Sequence, residues 1–125
     1  MILIALAGLL GGGGVALAAI AAHVEDTVAI RAAAELAMVH AVGVIALVAF
    51  AKHAKYQVVW SIVTTAMLIG AALFSSAVTL ASLADLRPIP GAAPIGGSLT
   101  ILAWVGVFAA GVMEWMGKDA TDEPR

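Results

Sequence analysis

Residues 2–22, ILIALAGLLGGGGVALAAIAA, form an apolar stretch without a single charged side chain. Because a helix rises about 1.5 Å per residue, a stretch of this length crosses a hydrocarbon core about 30 Å thick. Three further stretches meet or approach that length, at residues 32–51, 58–83 and 95–116. The sequence therefore predicts an all-α integral membrane protein, a four-transmembrane-helix up-down-up-down bundle.

The composition excludes a soluble globular protein and several classes of function. Hydrophobic residues make up 63% of the 125-residue chain and charged residues 11%, with a formal net charge of −2. No basic run interleaved with aromatic residues occurs, so we expect no nucleic-acid binding. The absence of cysteine excludes disulfides, thiolate chemistry and iron–sulfur ligation. The length allows one membrane domain, residues 1–117, followed by a charged C-terminal tail, residues 118–125.

The distribution of basic and aromatic residues predicts the orientation of the spans. With four spans, the N-terminus, the second loop and the tail lie on one side of the membrane. Four basic residues belong to that side and two to the other: Lys52, Lys55, Lys118 and Arg125 against Arg31 and Arg87. Tyr56, Trp60 and Trp115 fall at the same interface as the larger group. The positive-inside tendency therefore predicts two cytoplasmic termini, in a bacterial inner membrane.

Small residues are expected to bring the helices close together. In the first span they recur at every fourth position, as Gly8, Gly12 and Ala16 and as Gly14, Ala18 and Ala22. Lipid tails are as apolar as leucine, so helices in a bilayer associate through close packing and buried hydrogen bonds. At the start of the fourth span, Pro94 suits a first helical turn. The adjacent Gly96 and Gly97 allow that turn to approach its neighbours.

Two ionisable residues of the second span are the first candidates for a function, because such groups are costly in lipid. Glu35 lies near the end of the span, and Arg31, four residues earlier, predicts an ion pair. His40 lies near mid-membrane, about 140° around the helix from Glu35, so the two do not share a face. We expect a neutral His40 that is hydrogen-bonded to a hydroxyl across the bundle, with Ser75 or Ser76 as the best candidate.

Other roles for these polar residues stay open. The possible intramembrane polar site comprises Glu35, His40, Ser75, Ser76 and Thr79. In an oligomer, such a site suits a transporter or a proton-conducting unit. His40 is also a weak candidate for cofactor binding, since imidazole is a standard axial ligand of haem. No second histidine at a similar depth completes a bis-histidine pair within one chain.

No catalytic or metal-binding constellation is predicted. A metal at the rim would need His23, Glu25, Asp26 and Glu35 to converge, and nothing in their spacing requires it. We expect a solvated rim instead. The chain has serines, but no histidine–acid pair is spaced to activate one. We therefore expect no catalytic residues, no metal and no cofactor.

Several short motifs in a fixed order resemble a known family. They are Ala21-Ala22-His23, His40, Leu73-Phe74-Ser75-Ser76, Pro94-Ile95-Gly96-Gly97 and Ala103-Trp104. This pattern is similar to the small four-helix membrane proteins called domain of unknown function 423, whose eukaryotic relatives are called transmembrane protein 256. The resemblance implies a four-helix inner-membrane protein and brings no reaction with it. The chain departs from the family's polar residues near His40, where it has Leu36, Ala37 and Val39.

The sequence favours a non-enzymatic role over a catalytic one. We expect a small accessory or scaffold subunit that packs against itself or against a larger membrane complex. The first alternative is an oligomeric transporter or proton-conducting unit that uses Glu35 and His40. A further alternative is a haem- or quinone-binding anchor of a respiratory oxidoreductase. The expected partners are the lipid bilayer and either a protein partner or further copies of the chain.

Overall fold

The structure, a computed structural model, describes residues 1–24, 28–87 and 89–119. This part of the chain forms four helices: α1 (Ile2–Ala21), α2 (Val28–Ala51), α3 (Gln57–Ala84) and α4 (Ala92–Asp119). All four are long and apolar enough to cross a membrane. The predicted all-helical fold with four spans is confirmed.

Three helices extend beyond the apolar stretches that predicted them. α2 begins at Val28, so Arg31 lies within the helix. α4 begins at Ala92, which puts Pro94 inside its first turn, and it continues to Asp119. Hydropathy marks where a chain leaves the hydrocarbon, whereas backbone hydrogen bonding continues into the interfacial layer. Helices that are longer than the hydrocarbon core are the expected result.

Each helix packs antiparallel against the next one along the chain. α1 packs on α2, α2 on α3 and α3 on α4, with a minor contact between α1 and α3. Among the described residues, the backbone of α4 does not approach α1 or α2 closely. α4 is therefore held by α3 and by the side chains that reach across from it.

The core consists mainly of alanine, which lets the helices pack at short range. The fully or almost fully buried alanines come from all four helices: Ala7, Ala33, Ala34, Ala37, Ala71 and Ala110. The larger buried side chains Val44 and Met67 fill the middle of the bundle. In lipid, this dispersion contact between closely packed helices replaces the hydrophobic effect as the force that joins them.

Two glycines mark the closest helix approaches. A Cβ on Gly14 of α1 would lie 2.9 Å from the carbonyl oxygen of Ala34 in α2. A Cβ on Gly96 of α4 would lie 2.5 Å from the backbone nitrogen of Phe74 in α3. Gly70, which the sequence analysis did not single out, faces Gly96 across the same contact. Gly97 has only the ring of Phe74 nearby, at an ordinary contact distance of 3.5 Å.

Gly8 and Gly12 differ from these glycines, because neither faces another helix in the part of the chain that the structure describes. A Cβ added at either residue would have no neighbour within 4 Å. Both residues are exposed, and so is Ala16, the third member of the same stripe. Only 11% of the most apolar part of α1 is buried, against 44% for α3. Within the single chain, α1 therefore packs through its Gly14 side alone.

Candidate functional site

His40 is a buried residue of α2 whose two ring nitrogens both form hydrogen bonds. Its Nδ1 lies 2.7 Å from the carbonyl oxygen of Leu36, one turn earlier in the same helix. Because a carbonyl only accepts, Nδ1 carries the proton and donates it. Nε2 accepts a hydrogen bond from Nε1 of Trp104, at 3.1 Å. This pair of bonds defines a neutral imidazole in the Nδ1–H tautomer.

Trp104 extends from α4 to α2, two helices whose backbones are not in contact. Its ring lies edge-on to His40, with 6.0 Å between centroids and 70° between planes. The indole is 47% exposed, so one side packs inward while the other faces the surrounding lipid. The bond between His40 and Trp104 therefore ties α4 to α2 by side chains alone. It also occupies the only nitrogen lone pair that His40 has for a metal.

The prediction that a serine hydroxyl bonds His40 is wrong. Ser75 is buried, but its Oγ donates to the carbonyl oxygen of Ala33 in α2, at 3.0 Å. Thr79 donates to the carbonyl oxygen of Ser75 at 2.6 Å. Ser76 is exposed on another side of α3. Ser75 joins α3 to the α2 backbone, whereas the partner of His40 comes from α4.

Glu35 and Arg31 are both exposed on α2, and the structure gives no ion pair between them. Their predicted pairing followed from sequence spacing, which puts both on one helix face but does not fix their rotamers. A pair at this exposure contributes little in any case, because side-chain entropy opposes it. Glu35 therefore does not join His40, Ser75 or Thr79 in one site.

Glu114 of α4 is a buried carboxylate that the sequence analysis missed. Its Oε1 accepts hydrogen bonds from the backbone N–H of Tyr56, at 2.7 Å, and from Nε1 of Trp60, at 3.1 Å. Its Oε2 accepts the backbone N–H of Lys55, at 3.1 Å. The two amides come just before the first turn of α3, where the positive end of the helix dipole also favours a carboxylate. Tyr56 is the N-cap residue and has no side-chain cap of its own.

These contacts form a cluster, the Glu114 clasp, which comprises Glu114, Lys55, Tyr56 and Trp60. The clasp continues through Lys55, whose Nζ donates to the carbonyl oxygen of Gly117 in the last turns of α4. A carboxylate from α4 therefore caps α3, and a lysine before α3 caps α4. The signal for this cluster was present in the sequence: Glu114 lies inside the predicted span 95–116. Glu114 lies at the same depth in the membrane as Trp60, since α3 and α4 are antiparallel.

The two polar centres, at His40 and at Glu114, consist of hydrogen-bonded groups that join helices. Among the described residues, no buried side-chain nitrogen or oxygen lacks a hydrogen-bond partner. The same part of the chain contains no group of three His, Cys, Asp or Glu residues that is arranged for a metal ion. Glu25 and Asp26, two members of the rim cluster considered above, lie outside the described residues. The bond between His40 and Trp104 holds α4 against α2, and the Glu114 clasp holds α4 against α3.

Comparison with known proteins gives a match to a family model. No curated protein and no solved structure matches the chain. A family model matches residues 17–97, which is more than half of the 125 residues. The matched part includes His40 and Ser75 and ends at Gly97, so Trp104 and Glu114 lie beyond it. The chain belongs to the family described as protein of unknown function (DUF423).

Proposed function

We propose that this protein is a non-enzymatic accessory or scaffold subunit, which packs through α1 against a second copy of itself or against a larger membrane complex. The observation that carries the proposal is the exposed small-residue face of α1, the α1 outer face, formed by Ala5, Gly8, Gly12 and Ala16. The open space at Gly8 and Gly12 leaves room there for the backbone of another helix.

The α1 outer face lies opposite the side that packs on α2. At about 100° per residue, Gly12 is roughly 160° around the helix from the buried Gly14. Glycines four residues apart let two membrane helices approach closely, which increases dispersion contact between them. A helix with small residues on both sides is suited to lie between two neighbours. α2 is one of these neighbours, and we assign the other to a partner chain.

The bonding of the polar residues supports a packing role over a chemical one. A proton relay through His40 requires its imidazole to take up and release a proton. In the folded chain this imidazole donates to Leu36 and accepts from Trp104. Protonation at Nε2 would put two N–H groups face to face and break the tie between α2 and α4. Glu114 likewise acts as a cap that joins two helices.

We place the subunit in a bacterial inner membrane with both termini in the cytoplasm. Lys52 and Lys55 lie at the end of the bundle that this orientation puts on the cytoplasmic side. Trp115, 69% exposed, lies at that end as well, as an interfacial aromatic residue should. The opposite end has Arg31 and Arg87 as its basic residues.

The test is a native mass spectrum of the protein extracted gently from its own membrane, recorded for the wild type and two variants. Gly12→Leu fills the α1 outer face. Gly111→Leu is the matched control, because Gly111 of α4 also has nothing within 4 Å of an added Cβ but is not part of a small-residue stripe. Both variants keep the intrachain contacts and should fold.

The proposal predicts wild-type complexes heavier than one 12.5-kDa chain, retained by Gly111→Leu and lost in Gly12→Leu. Complexes of equal abundance in the two variants would refute the role of the α1 outer face. A Soret absorbance band in the purified complex that disappears in His40→Ala would contradict the scaffold proposal and favour a haem anchor.

A further inference from the structure

We propose that a pocket beside the α3–α4 loop binds one membrane glycerophospholipid, with its phosphate at Arg87 and an acyl chain along α3. The loop pocket, as we call it, has a volume of about 430 Å³. Its walls are the last turns of α3, the residues from Ile89 to Pro94, and Ala29 of α2. This site is separate from the α1 outer face and does not depend on the scaffold proposal.

The walls of the loop pocket match a hydrocarbon chain. Leu73, Ala77 and Leu80 line it from α3, and Ile89 closes it from the loop. The volume lies within the range of about 300–1,000 Å³ that is common for small-molecule sites. The pocket exists because the loop folds back over the end of α3. That reversal starts at Asp85, which adopts the left-handed conformation (φ 49°) and lets the N–H of Leu86 donate to Leu80.

Two hydroxyls in the loop pocket have no hydrogen-bond partner within the part of the chain that the structure describes. Five Ser and Thr side chains of α3 and α4 donate to a carbonyl one turn earlier in their own helix: Ser61, Thr64, Thr65, Thr79 and Thr100. Among the described residues, no hydrogen bond is made by the hydroxyls of Ser76, Ser82 and Ser98. Ser76 and Ser82 both line the loop pocket. They are therefore available to the oxygen atoms of a ligand.

The pocket's polar groups follow the order of a phospholipid across the membrane. Along α3, Ser76 and Ser82 are separated by roughly 9 Å at 1.5 Å per residue, and Arg87 lies beyond the end of the helix. Counting about ten residues each way from the middle of α3 puts Ser82 near the edge of a 30-Å hydrocarbon core. Arg87 is then at headgroup level and Ser82 at the level of the glycerol esters, whereas Ser76 and the apolar walls lie beside the acyl chain.

The charge of the loop pocket favours a phosphate-bearing lipid over a neutral one. Arg87 is its one cationic lining residue and is exposed. Its guanidinium forms no ion pair with Asp85, the nearest acidic residue of the loop. Guanidinium groups bind phosphate with paired, charge-assisted hydrogen bonds. The positive end of the α4 dipole, at Ala92 beside the pocket, adds to the same field.

The experiment measures lipid retention by native mass spectrometry. The full-length protein is delipidated in detergent and titrated with palmitoyl-oleoyl phosphatidylglycerol. We expect one bound lipid on the wild type and at least about tenfold weaker binding by Arg87→Gln. Arg31→Gln is the matched control, because it removes an exposed arginine from the same end of the bundle, outside the loop pocket. Its binding should equal that of the wild type.

Two further arms test the acyl chain and the source of the phosphate. Ala81→Leu fills the loop pocket while Arg87 stays intact, and it should lower lipid occupancy. A diacylglycerol with the same chains should bind about as weakly as the phospholipid binds to Arg87→Gln. Equal binding by Arg87→Gln and Arg31→Gln would overturn the proposal, and so would unchanged binding by Ala81→Leu. Displacement of the lipid by millimolar inorganic phosphate would identify a free-phosphate site instead.

Discussion

The contact between α3 and α4 at Gly96 allows a sharp test of the packing. In Gly96→Ala, the new Cβ would lie 2.5 Å from the nitrogen of Phe74 and 2.8 Å from the carbonyl oxygen of Gly70. Both atoms belong to the backbone, so no side-chain rotation relieves the clash. The two helices must move apart by on the order of 1 Å, whereas Gly97→Ala meets only the Phe74 ring at an ordinary 3.5 Å.

The magnitude follows from the contacts along the helix pair. Moving the two helices apart by about 1 Å removes roughly a third of the dispersion attraction between them, which has a well depth of about 0.15 kcal/mol per atom pair. Over on the order of 50 pairs, the free energy of unfolding falls by about 2.5 kcal/mol. Because alanine has a higher helix propensity than glycine, the substitution also raises the free energy of unfolding by up to about 1 kcal/mol. We expect Gly96→Ala to be destabilised by about 1.5–2.5 kcal/mol and Gly97→Ala to be neutral or slightly more stable.

The assay is reversible unfolding in mixed micelles, followed by the fluorescence of the three tryptophans and by circular dichroism. The adjacent pair of variants controls for helix propensity and for membrane insertion. Unfolding of both variants at the same denaturant concentration would show that the backbones of α3 and α4 are not in close contact at Gly96.

Three further predictions concern the polar bridges between helices. Trp104→Phe keeps an aromatic ring but removes the N–H that bonds His40, so it should lower the free energy of unfolding by about 0.5–1.5 kcal/mol. In the His40→Ala background the same substitution should cost nothing. A double-mutant cycle that shows no coupling between the two residues would contradict the bond. Glu114→Leu leaves the indole N–H of Trp60 and two backbone amides without their acceptor. The free energy of unfolding should therefore fall by about 3 kcal/mol or more in the same assay. A fall of less than about 1 kcal/mol would refute the Glu114 clasp. Ser75→Ala should cost about 0.6 kcal/mol, the mean for a hydrogen bond between membrane helices, and a gain in stability would contradict its bond to α2.

Hydropathy alone predicted the fold, because the bilayer restricts a spanning chain so strongly. Backbone groups must be satisfied within each segment, so four apolar stretches of sufficient length imply four helices. The extension of α2 to Val28 and of α4 to Ala92 was not predicted. Those residues lie in the interfacial layer, where apolar character no longer reports on helix formation.

The polar site was predicted less well, because hydrogen bonds depend on the rotation of each helix about its axis and on side-chain rotamers as much as on the depth of a residue in the membrane. His40 was correctly singled out as a buried polar residue, but its partner Trp104 was considered only as part of a family motif. Glu114 was not predicted to be buried, because hydropathy does not distinguish a buried carboxylate near the end of a span from a solvated one. A carboxylate near the end of a span can accept hydrogen bonds from the free backbone amides of a neighbouring antiparallel helix that begins at the same membrane depth. That rule would have predicted the role of Glu114.

Docking of a partner on the α1 outer face can be measured by photo-cross-linking in intact membranes. The chain has no cysteine, so Gly12→Cys and Gly111→Cys each introduce a unique site for a benzophenone–maleimide photo-cross-linker. If a partner docks on the α1 outer face, residue 12 should give a protein adduct of one defined mass and residue 111 only lipid adducts. Lipid adducts alone from both sites, or the same protein adduct from both, would contradict it.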